Sequence, residues 1–504
     1  MSKADAQLSL AARTARGAGW VVCWRFATRL LGTLSTLMLV RLLAPGDFGL
    51  VALGTTFSLA LDGLAEIGVG NALIREQQID RTMYDTGFTL SLIRGVGSAV
   101  LIAGCAWPVA RFFGEPRLVG VLLALSVATF ITAVENIGVI DFQRDLAFNR
   151  EFNLLLAPRI LGIVACVGTA YIWRSYWALV VGILTTRTAR LICTYLMHDY
   201  RPRLSLQALD RLVGFSFWSW MLAWVSLIRD RIDNFVIGRL LGAADVGLYS
   251  LAWDVGFITS TELVSPICRA LFPGLTHVRN RGSDIADAYF RAISATLVVT
   301  LPAGIGIALV SDPLIRLAIG QRWVAAIPLV QIFAIVGIFR VVTYIGTTLL
   351  TVFGILPIQF SITVAMLLIR FALLVVLIES FGLVGAGFAV AAVAILEEAC
   401  YLFETFRRFG LRPMDLLRNN WRTVTATAVM TIAVVLLQRA LGGTATFGHL
   451  FAEILAGALA YVTVLLATWL AAGRPQGAEA TILATVREAT RPLRRRGKAA
   501  GPAG

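Results

Sequence analysis

The sequence predicts an all-α integral membrane protein of about 14 transmembrane helices, arranged as two six-helix lobes followed by one additional helix pair. Three observations lead to this fold class. The chain is 58% hydrophobic and has a mean hydropathy of +0.79, well above the values of soluble domains. Apolar runs of roughly 20 residues, the length that crosses a bilayer core, recur along nearly the whole chain. A ten-residue segment also recurs about 198 residues later, and that period is too long for a solenoid.

The apolar runs define fourteen predicted spans. The turns between them are short, which leaves no room for a sizeable soluble domain. The spans cover residues 18–43, 48–72, 86–110, 118–140, 153–173, 177–198, 212–240, 245–272, 288–312, 324–350, 356–379, 382–404, 420–440 and 449–472.

The repeated segment divides the chain into lobes. Residues 41–50 and 239–248 agree at six of ten positions, and each copy forms the turn between two spans. Six crossings return the chain to its starting side, so the expected pseudo-twofold axis lies along the membrane normal. The predicted parts are an N-terminal lobe of spans 1–6 (1–205), a C-terminal lobe of spans 7–12 (206–405), the pair of spans 13–14 (406–472) and a basic cytoplasmic tail (473–504).

Basic residues set the predicted orientation. With both termini cytoplasmic, the inner segments hold roughly 25 Lys and Arg and the outer turns roughly 8, as the positive-inside rule requires. The same residues account for the net charge of +14. Nucleic-acid binding is the other explanation of a basic chain, but charge scattered over short loops beside helix ends favours a membrane. The polar start lacks the apolar core of a signal peptide, so we expect Met1 to be retained.

The sequence carries no pattern of an enzyme or a metalloprotein. All six cysteines fall inside apolar segments without metal-ligand spacing, and the three histidines are scattered. We find no phosphate-binding glycine loop and no nucleophile motif. We therefore expect no catalytic residue, no metal and no cofactor, and an ATP-driven pump is disfavoured.

Charges within the first two spans form one candidate site, because a charge at mid-bilayer is costly unless it faces a partner or water. The first span carries Arg25 and Arg29, one helical turn apart. The second carries Asp62 and Glu66 with the same spacing. Counted from the turn between the spans, Arg29 lies at the depth of Asp62, and Arg25 at that of Glu66. Either the four residues neutralise one another, or the arginines bind an anionic substrate; the spacing does not choose between these interpretations.

The seventh span carries mixed charges over residues 229–234, which point in different directions around the helix. Arg231 lies at nearly the depth of Asp254 on the eighth span. A structural ion pair explains this match at least as well as a functional one. Asp233 joins Asp62 and Glu66 as a candidate carrier of a coupling proton.

Arg340 and Arg370 are the stronger candidates for an anion site. They are equidistant from the predicted turn near Gly354, both lie deep in their spans, and neither span offers an acid at that depth. Guanidinium binds phosphate through two parallel hydrogen bonds. Arg94 in the third span is a weaker candidate. Three further arginines are expected to snorkel to the inner surface, namely Arg159, Arg187 and Arg190.

The chain resembles the bacterial polysaccharide transporters, the oligosaccharide-lipid flippase branch of the superfamily that includes multidrug and toxic-compound extrusion proteins. The resemblance lies in residues 41–50, 68–75, 233–242 and 247–249. It looks closest to the group that serves exopolysaccharides such as colanic acid and succinoglycan. Together with the span count it covers spans 1–12, and the pair 13–14 is also usual for this branch. The motifs do not mark the sugar.

The resemblance implies a flippase that moves an undecaprenyl-pyrophosphate-linked oligosaccharide repeat unit across the bacterial inner membrane, for exopolysaccharide or lipopolysaccharide synthesis. Its two lobes would alternate in access around an arginine-lined cavity, among membrane lipids, with polysaccharide polymerase and export machinery as further partners. Members often carry cavity arginines on the first helix, a pattern that Arg25 and Arg29 match. The predicted substrate-binding residues are Arg25, Arg29, Arg94, Arg340 and Arg370, and the predicted coupling or ion-pair residues are Asp62, Glu66, Arg231, Asp233 and Asp254.

Two other functions compete with this interpretation. A cation-coupled exporter of drugs or other small molecules shares the lobed architecture, but it favours a cavity of carboxylates and aromatic rings, whereas the mid-membrane charges here lean positive. A polysaccharide polymerase or ligase needs a large outer loop, and no outer turn exceeds about fifteen residues. The glycan, the energy source and the oligomeric state are left open.

Overall fold

The computed structural model describes residues 31–64, 80–144, 147–209, 217–264, 285–442 and 446–473, together with residues 28, 73, 275–276 and 279. The regular structure of this part is entirely helical. The chain forms two compact units, Met1–Ser250 and Leu251–Gly504. The division at residue 205 rests on the sequence repeat rather than on compactness, and it stays a prediction.

Among the described residues, the first unit contains eight longer helices, the last of which continues into the second unit. They are α1 (Leu31–Leu42), α2 (Pro45–Leu64), α3 (Arg81–Phe113), α4 (Leu118–Ala133), α5 (Phe148–Trp173), α6 (Trp177–Met197), α7 (Phe217–Leu240) and α8 (Ala243–Gly256). A 3-10 turn (Ile137–Ile140) and a short helix (Asp141–Arg144) follow α4.

The second unit continues with five long helices. They are α9 (Ile285–Leu314), α10 (Ile327–Val352), α11 (Leu356–Phe409), α12 (Pro413–Ala440) and α13 (Phe447–Ala471). A π-helical segment (Thr259–Val264) lies between α8 and α9. A second π-helical segment (Ile315–Ile319) and a 3-10 segment (Gln321–Ala326) lie between α9 and α10.

Within the described residues, 8 helices are long and apolar enough to cross a membrane, or up to 9 if the bent pair Leu118–Ala133 and Ile137–Arg144 is one span. The predicted class, an all-helical protein with many membrane spans, is thereby confirmed. The count of fourteen spans and the two-lobe symmetry stay predictions.

Helix α11 is two helices joined at a glycine. Its 54 residues would extend for about 80 Å as one straight helix, far beyond a bilayer core of about 30 Å. Gly382 has a φ of 58°, which glycine adopts without a Cβ clash. A Cβ built on Gly385 would lie only 1.9 Å from the carbonyl oxygen of Leu377, so the chain folds back on itself here. The reversal falls between the predicted spans 356–379 and 382–404.

The two copies of the repeated segment pack against each other. A Cβ built on Gly49 would lie 1.5 Å from the carbonyl oxygen of Ala243, and one built on Gly247 would lie 2.0 Å from that of Pro45. Ala243 and Pro45 begin helices α8 and α2, and they occupy equivalent positions in the repeat. The contact therefore relates residues 45–49 to residues 243–247 by a local twofold, and only glycine permits this approach of the two backbones.

Helix α9 is bound to the C-terminal pair at its two internal prolines, Pro302 and Pro313. A proline has no N–H to donate to the carbonyl four residues earlier, so the carbonyl oxygens of Val298 and Leu309 lack their helical partners. The Tyr461 hydroxyl of α13 donates to the Val298 oxygen at 2.6 Å. The Gln438 side-chain amide of α12 donates to the Leu309 oxygen at 3.1 Å. Both carbonyls are thus satisfied by the helices that follow the predicted C-terminal lobe.

The segment after α6 is held to the start of α3 by hydrogen bonds. Asp85 Oδ1 accepts from the Tyr200 hydroxyl at 2.6 Å and from the Arg203 backbone N–H at 3.0 Å. The hydroxyl of Thr86 accepts from the Ala208 N–H at 3.2 Å. The first part of the connection between the two predicted lobes is therefore attached to α3 by hydrogen bonds.

Candidate functional site

A polar cavity of about 370 Å³ lies within the first unit. It falls in the size range of ligand-binding pockets. Its lining comes from α3, the break after α4, the start of α5 and the end of α6. The charged and amide side chains of the lining are Arg94, Glu135, Asn136, Gln143, Glu151 and Arg190.

The break after α4 places one acidic side chain at the cavity. The axis of the chain bends by 71° between Leu118–Ala133 and Ile137–Arg144. Asn136 fixes this bend, since its Oδ1 accepts from the Gly138 N–H at 2.9 Å and its Nδ2 donates to the Tyr200 carbonyl at 2.7 Å. Glu135 directly precedes this anchor and is therefore held at the cavity wall.

Glu135 forms an ion pair with Arg190 of α6, with 3.1 Å between Oε2 and Nε. The carboxylate side chain is only 13% exposed, whereas that of Arg190 is 36% exposed. The other oxygen, Glu135 Oε1, is buried and accepts no hydrogen bond from the described residues. Arg190, which was expected to snorkel to the inner surface, is thus tied to an acid beside the cavity.

Arg94 of α3 also lines the cavity and approaches Asp62 of α2. The distance from Arg94 Nη2 to Asp62 Oδ1 is 3.8 Å, and Oδ1 accepts no hydrogen bond in the described part. The structure therefore gives Asp62 a partner on α3. Arg25, Arg29 and Glu66 lie outside the described residues, so the predicted pairing of spans one and two stays a prediction.

The candidate residues of α7 and α8 have separate environments. Asp233 is 3% exposed and accepts a hydrogen bond from the Tyr249 hydroxyl at 2.6 Å. Arg231 is half-buried, and its Nε makes no hydrogen bond to a described residue. Asp254 is exposed. The pairing of Arg231 with Asp254 stays a prediction.

In the second unit, the guanidinium of Arg340 on α10 lies over aromatic rings. Its Cζ is 5.3 Å from the ring centre of Trp253 and 5.0 Å from that of Phe257. Phe333 stacks on Phe257 behind them, with 5.5 Å between ring centres. Cation–π contacts orient a guanidinium without neutralising it, and Arg340 is exposed. Arg370, on the first arm of α11, is by contrast only 7% exposed.

Sequence reasoning did not single out Glu135, Trp253 or Glu398. Glu135 is the only acid in the predicted span 118–140, and that isolation was the available signal. Glu398 on the second arm of α11 is 7% exposed, and adjacent acids at 397 and 398 within an apolar run were a similar signal. Nothing in the sequence marked Trp253 as the ring beneath Arg340. Among the described residues, no group of His, Cys, Asp and Glu side chains could hold a metal ion.

The arrangement is suited to binding an anion rather than to covalent chemistry. Two arginines on different helices, Arg94 of α3 and Arg190 of α6, line one cavity. Each is paired with a carboxylate, Asp62 or Glu135, so an entering anion exchanges one acidic partner for another. Such exchange keeps each guanidinium paired with an anion in the empty and in the loaded state, which favours reversible binding.

Comparison with known proteins gives matches over most of the chain. A family model described as "Polysaccharide biosynthesis protein" matches residues 38–328. The lipopolysaccharide biosynthesis protein WzxC of Escherichia coli (strain K12) is 23% identical over 337 residues, 66% of this chain and 68% of that protein. The succinoglycan biosynthesis transport protein ExoT of Rhizobium meliloti (strain 1021) is 24% identical over 322 residues, 64% of this chain and 65% of that protein.

Two solved structures are similar in fold. The lipid II flippase MurJ, in an inward closed conformation, superimposes with a TM-score of 0.74 and 13% identity, covering 90% of this chain and 99% of that one. An inward-facing multidrug resistance transporter of the MATE family and MOP superfamily gives a TM-score of 0.59 with 15% identity, covering 75% of this chain and 94% of that one.

Proposed function

Because this chain belongs to the polysaccharide biosynthesis protein family, whose model matches more than half of it, we propose that it is a flippase for a lipid-linked oligosaccharide. The family resemblance drawn from the sequence motifs is thereby confirmed. The substrate in this proposal is an undecaprenyl-pyrophosphate-linked oligosaccharide repeat unit for exopolysaccharide or lipopolysaccharide synthesis. Relatives named for succinoglycan transport and lipopolysaccharide biosynthesis support that substrate class.

The observation that carries the proposal is the cavity with Arg94 and Arg190. A pyrophosphate has several oxygens that match the two parallel N–H groups of a guanidinium. Within a membrane protein such contacts are strengthened by the low dielectric constant. When the lipid leaves, Asp62 and Glu135 can pair with the arginines again. These ion pairs lower the cost of release, and a carrier must release its substrate.

The proposal extends to the arginines of the second unit and of the first span. Arg340 and Arg370 would join Arg25 or Arg29 in holding the pyrophosphate, and the lipid tail would stay in the bilayer. The lobes would alternate in access around this arginine-lined cavity in the bacterial inner membrane, with both termini cytoplasmic. Polysaccharide polymerase and export machinery would take over the product. Such a carrier performs no covalent step.

The alternative function is a cation-coupled exporter of drugs or other small molecules. The similarity in fold to a multidrug resistance transporter favours it, as does the presence of Asp62 and Glu135 at the first-unit site. A cationic drug would then pair with these acids, and the arginines would be their counterions in the empty state.

The test is complementation of exopolysaccharide export in a strain that lacks this protein. We expect Arg94→Ala and Arg190→Ala to reduce export strongly at normal protein levels, with partial rescue by lysine, which keeps the charge but loses the planar fork. The matched control is Arg117→Ala, because Arg117 is an exposed arginine paired with Glu115 at 3.1 Å. Normal export by both cavity variants would contradict the anion site. Loss of drug resistance with intact export would favour the alternative.

A further inference from the structure

Glu398 is a carboxyl group buried in an apolar helix that the proposed function does not use. It lies in the second arm of α11 and is 7% exposed. A carboxylate inside a membrane span needs a cation, several hydrogen-bond donors or a proton. The contacts of Glu398 show which of these it has.

The partner of Glu398 is a hydroxyl group and not a cation. Thr343 Oγ1 on α10 lies 2.5 Å from Glu398 Oε2. The neighbouring charged group on its own helix is Glu397, another acid, and the titratable group that faces it from α9 is Tyr289. Among the described residues, no arginine or histidine nitrogen lies within 4.0 Å of its oxygens. Among the described residues, Glu398 therefore has no cation in direct contact.

The geometry at Thr343 allows the carboxyl to hold a proton. Thr343 Oγ1 lies 3.3 Å from the carbonyl oxygen of Phe339 as well as 2.5 Å from Glu398 Oε2. When Glu398 is ionised, the single hydroxyl hydrogen of Thr343 serves the carboxylate or is shared with the Phe339 carbonyl. When Glu398 is protonated, the carboxyl donates to Thr343 Oγ1, and the Thr343 hydrogen is left for the Phe339 carbonyl. The same contacts therefore accept both protonation states of Glu398.

Arg340 lies on the same turn of α10, between Phe339 and Thr343. Its guanidinium is directed at the rings of Trp253 and Phe257 and is not an ion-pair partner of Glu398. Because Arg340 precedes Thr343, the hydroxyl partner of Glu398, by three residues, an anion bound at Arg340 would bring negative charge to the turn of α10 that carries this partner. In surroundings of low dielectric constant, two like charges repel strongly. Occupancy of the anion site and ionisation of Glu398 therefore oppose each other.

We propose that Glu398 is a proton-binding site, and that an anion bound at Arg340 is accompanied by uptake of one proton on this carboxyl. The proton comes from water, binds to a Glu398 oxygen as the anion enters, and returns to water as the anion leaves. This differs from the expected carriers, since Asp62 lies beside Arg94 and Asp233 accepts a hydrogen bond from Tyr249. The inference rests on the proposed function, which supplies the anion.

The test measures protons and binding together. The full-length protein is purified in detergent, and undecaprenyl pyrophosphate is added as the probe in weak buffer with a pH-indicating dye. We expect the wild type to take up about one proton per probe bound. Its affinity should fall about tenfold per pH unit over the range in which the anion-free protein loses that proton and the loaded protein keeps it. Glu398→Gln should bind the probe without uptake and without this pH dependence.

The matched control is Glu397→Gln, which changes the adjacent acid and should behave as the wild type does. Proton uptake by Glu398→Gln equal to that of the wild type would overturn the proposal, as would wild-type binding without uptake. If the wild type does not bind the probe, the anion site of the proposed function fails, and the inference falls with it.

A spectroscopic readout does not depend on how well Glu398→Gln folds. On addition of undecaprenyl pyrophosphate, the wild type should gain the infrared carbonyl band of a protonated carboxylic acid. Thr343→Val should shift this band towards that of an acid without a hydrogen bond. If the wild type lacks this band, or if the band has the same position in Thr343→Val as in the wild type, the assignment of the proton to Glu398 is overturned.

Discussion

Gly49 and Gly247 lie against each other as equivalent residues of a repeated segment. Each faces the carbonyl group of the residue that begins the other's helix, Ala243 for Gly49 and Pro45 for Gly247. The contact is reciprocal because both copies of the segment have the same local structure, a turn followed by a helix start. The two turns must therefore lie on the same side of the membrane.

Replacing Gly49 by alanine should disrupt this contact. A Cβ at that position would overlap the Ala243 carbonyl, and overpacking of this kind costs about 1–3 kcal/mol. Thermal unfolding of the purified protein measures the effect. Gly46→Ala is the matched control, since a Cβ there meets no atom within 4 Å and alanine favours a helix. If the two variants unfold at the same temperature, the close approach does not exist in the protein.

Reporter fusions at Pro45 and Ala243 should give the same reading, and we expect both to be periplasmic. The reason is the packing of the two turns together with the excess of arginine in the segments predicted to be inner. Alkaline phosphatase and a cytoplasmic reporter, fused in turn at each site, make the measurement. A cytoplasmic reading at either position would break the proposed topology.

Tyr461→Phe should destabilise the second unit by about 1–3 kcal/mol, because it leaves the Val298 carbonyl without a partner. In a Pro302→Ala background the same change should cost less, since residue 302 then supplies the missing helical N–H. A double-mutant cycle of unfolding free energies isolates this coupling. Equal costs in the two backgrounds would show that Tyr461 stabilises the protein by other contacts.

Arg340→Ala and Arg370→Ala should abolish polysaccharide export while protein levels stay normal. The proposed anion site includes both residues, and pyrophosphate supplies oxygens that match the two parallel N–H groups of a guanidinium. Lysine at either position should rescue export only in part. Arg291→Ala is a suitable control, because that arginine is exposed and paired with Asp287 at 2.9 Å. Normal export by both alanine variants would remove these residues from the anion site.

The Tyr200 phenol should make stability depend on alkaline pH. Burial, and after it the hydrogen bond to Asp85, raises the pKa of Tyr200 above its ordinary value of 10.0. A raised pKa gives a stabilisation that is complete below the pKa of the unfolded phenol and is lost as the pH rises above it. The melting temperature should therefore fall above pH 10 more steeply in the wild type than in Tyr200→Phe. Tyr171→Phe, at a side chain 71% exposed, should follow the wild type.

The family and the helical class could be predicted from the sequence because both depend on local patterns. Hydropathy and turn residues place a helix boundary closely where the chain leaves the membrane abruptly. The predicted span 177–198, for example, corresponds to a helix at Trp177–Met197. Gly382 breaks α11 between two predicted spans, and a glycine with positive φ is a local feature as well.

The polar contacts of the site could not be predicted in the same way, because they join helices that are distant in the chain. The approach of Glu135 to Arg190 depends on the bend after α4, and that of Arg94 to Asp62 on the packing of α3 beside α2. Depth counted from a turn says how far a residue lies along its helix, but not which way its side chain points. The spacing therefore suggested Arg29 for Asp62, a pairing that stays a prediction, but it could not indicate the approach of Arg94 to Asp62 that the structure shows.

The two prolines of α9 have a consequence for the order in which the helices are synthesised and packed. As the ribosome delivers the chain, α9 reaches the bilayer while Tyr461 and Gln438 are not yet synthesised. Until Tyr461 and Gln438 are synthesised, the carbonyls of Val298 and Leu309 cannot accept the hydrogen bonds that α13 and α12 donate to them. A backbone carbonyl without a hydrogen bond in lipid costs free energy. A chain that stops before α12 would thus keep two backbone carbonyls in α9 without the donors that satisfy them in the folded protein. Insertion of α9 and its completion as a packed helix are therefore separate events, divided by the synthesis of more than a hundred residues.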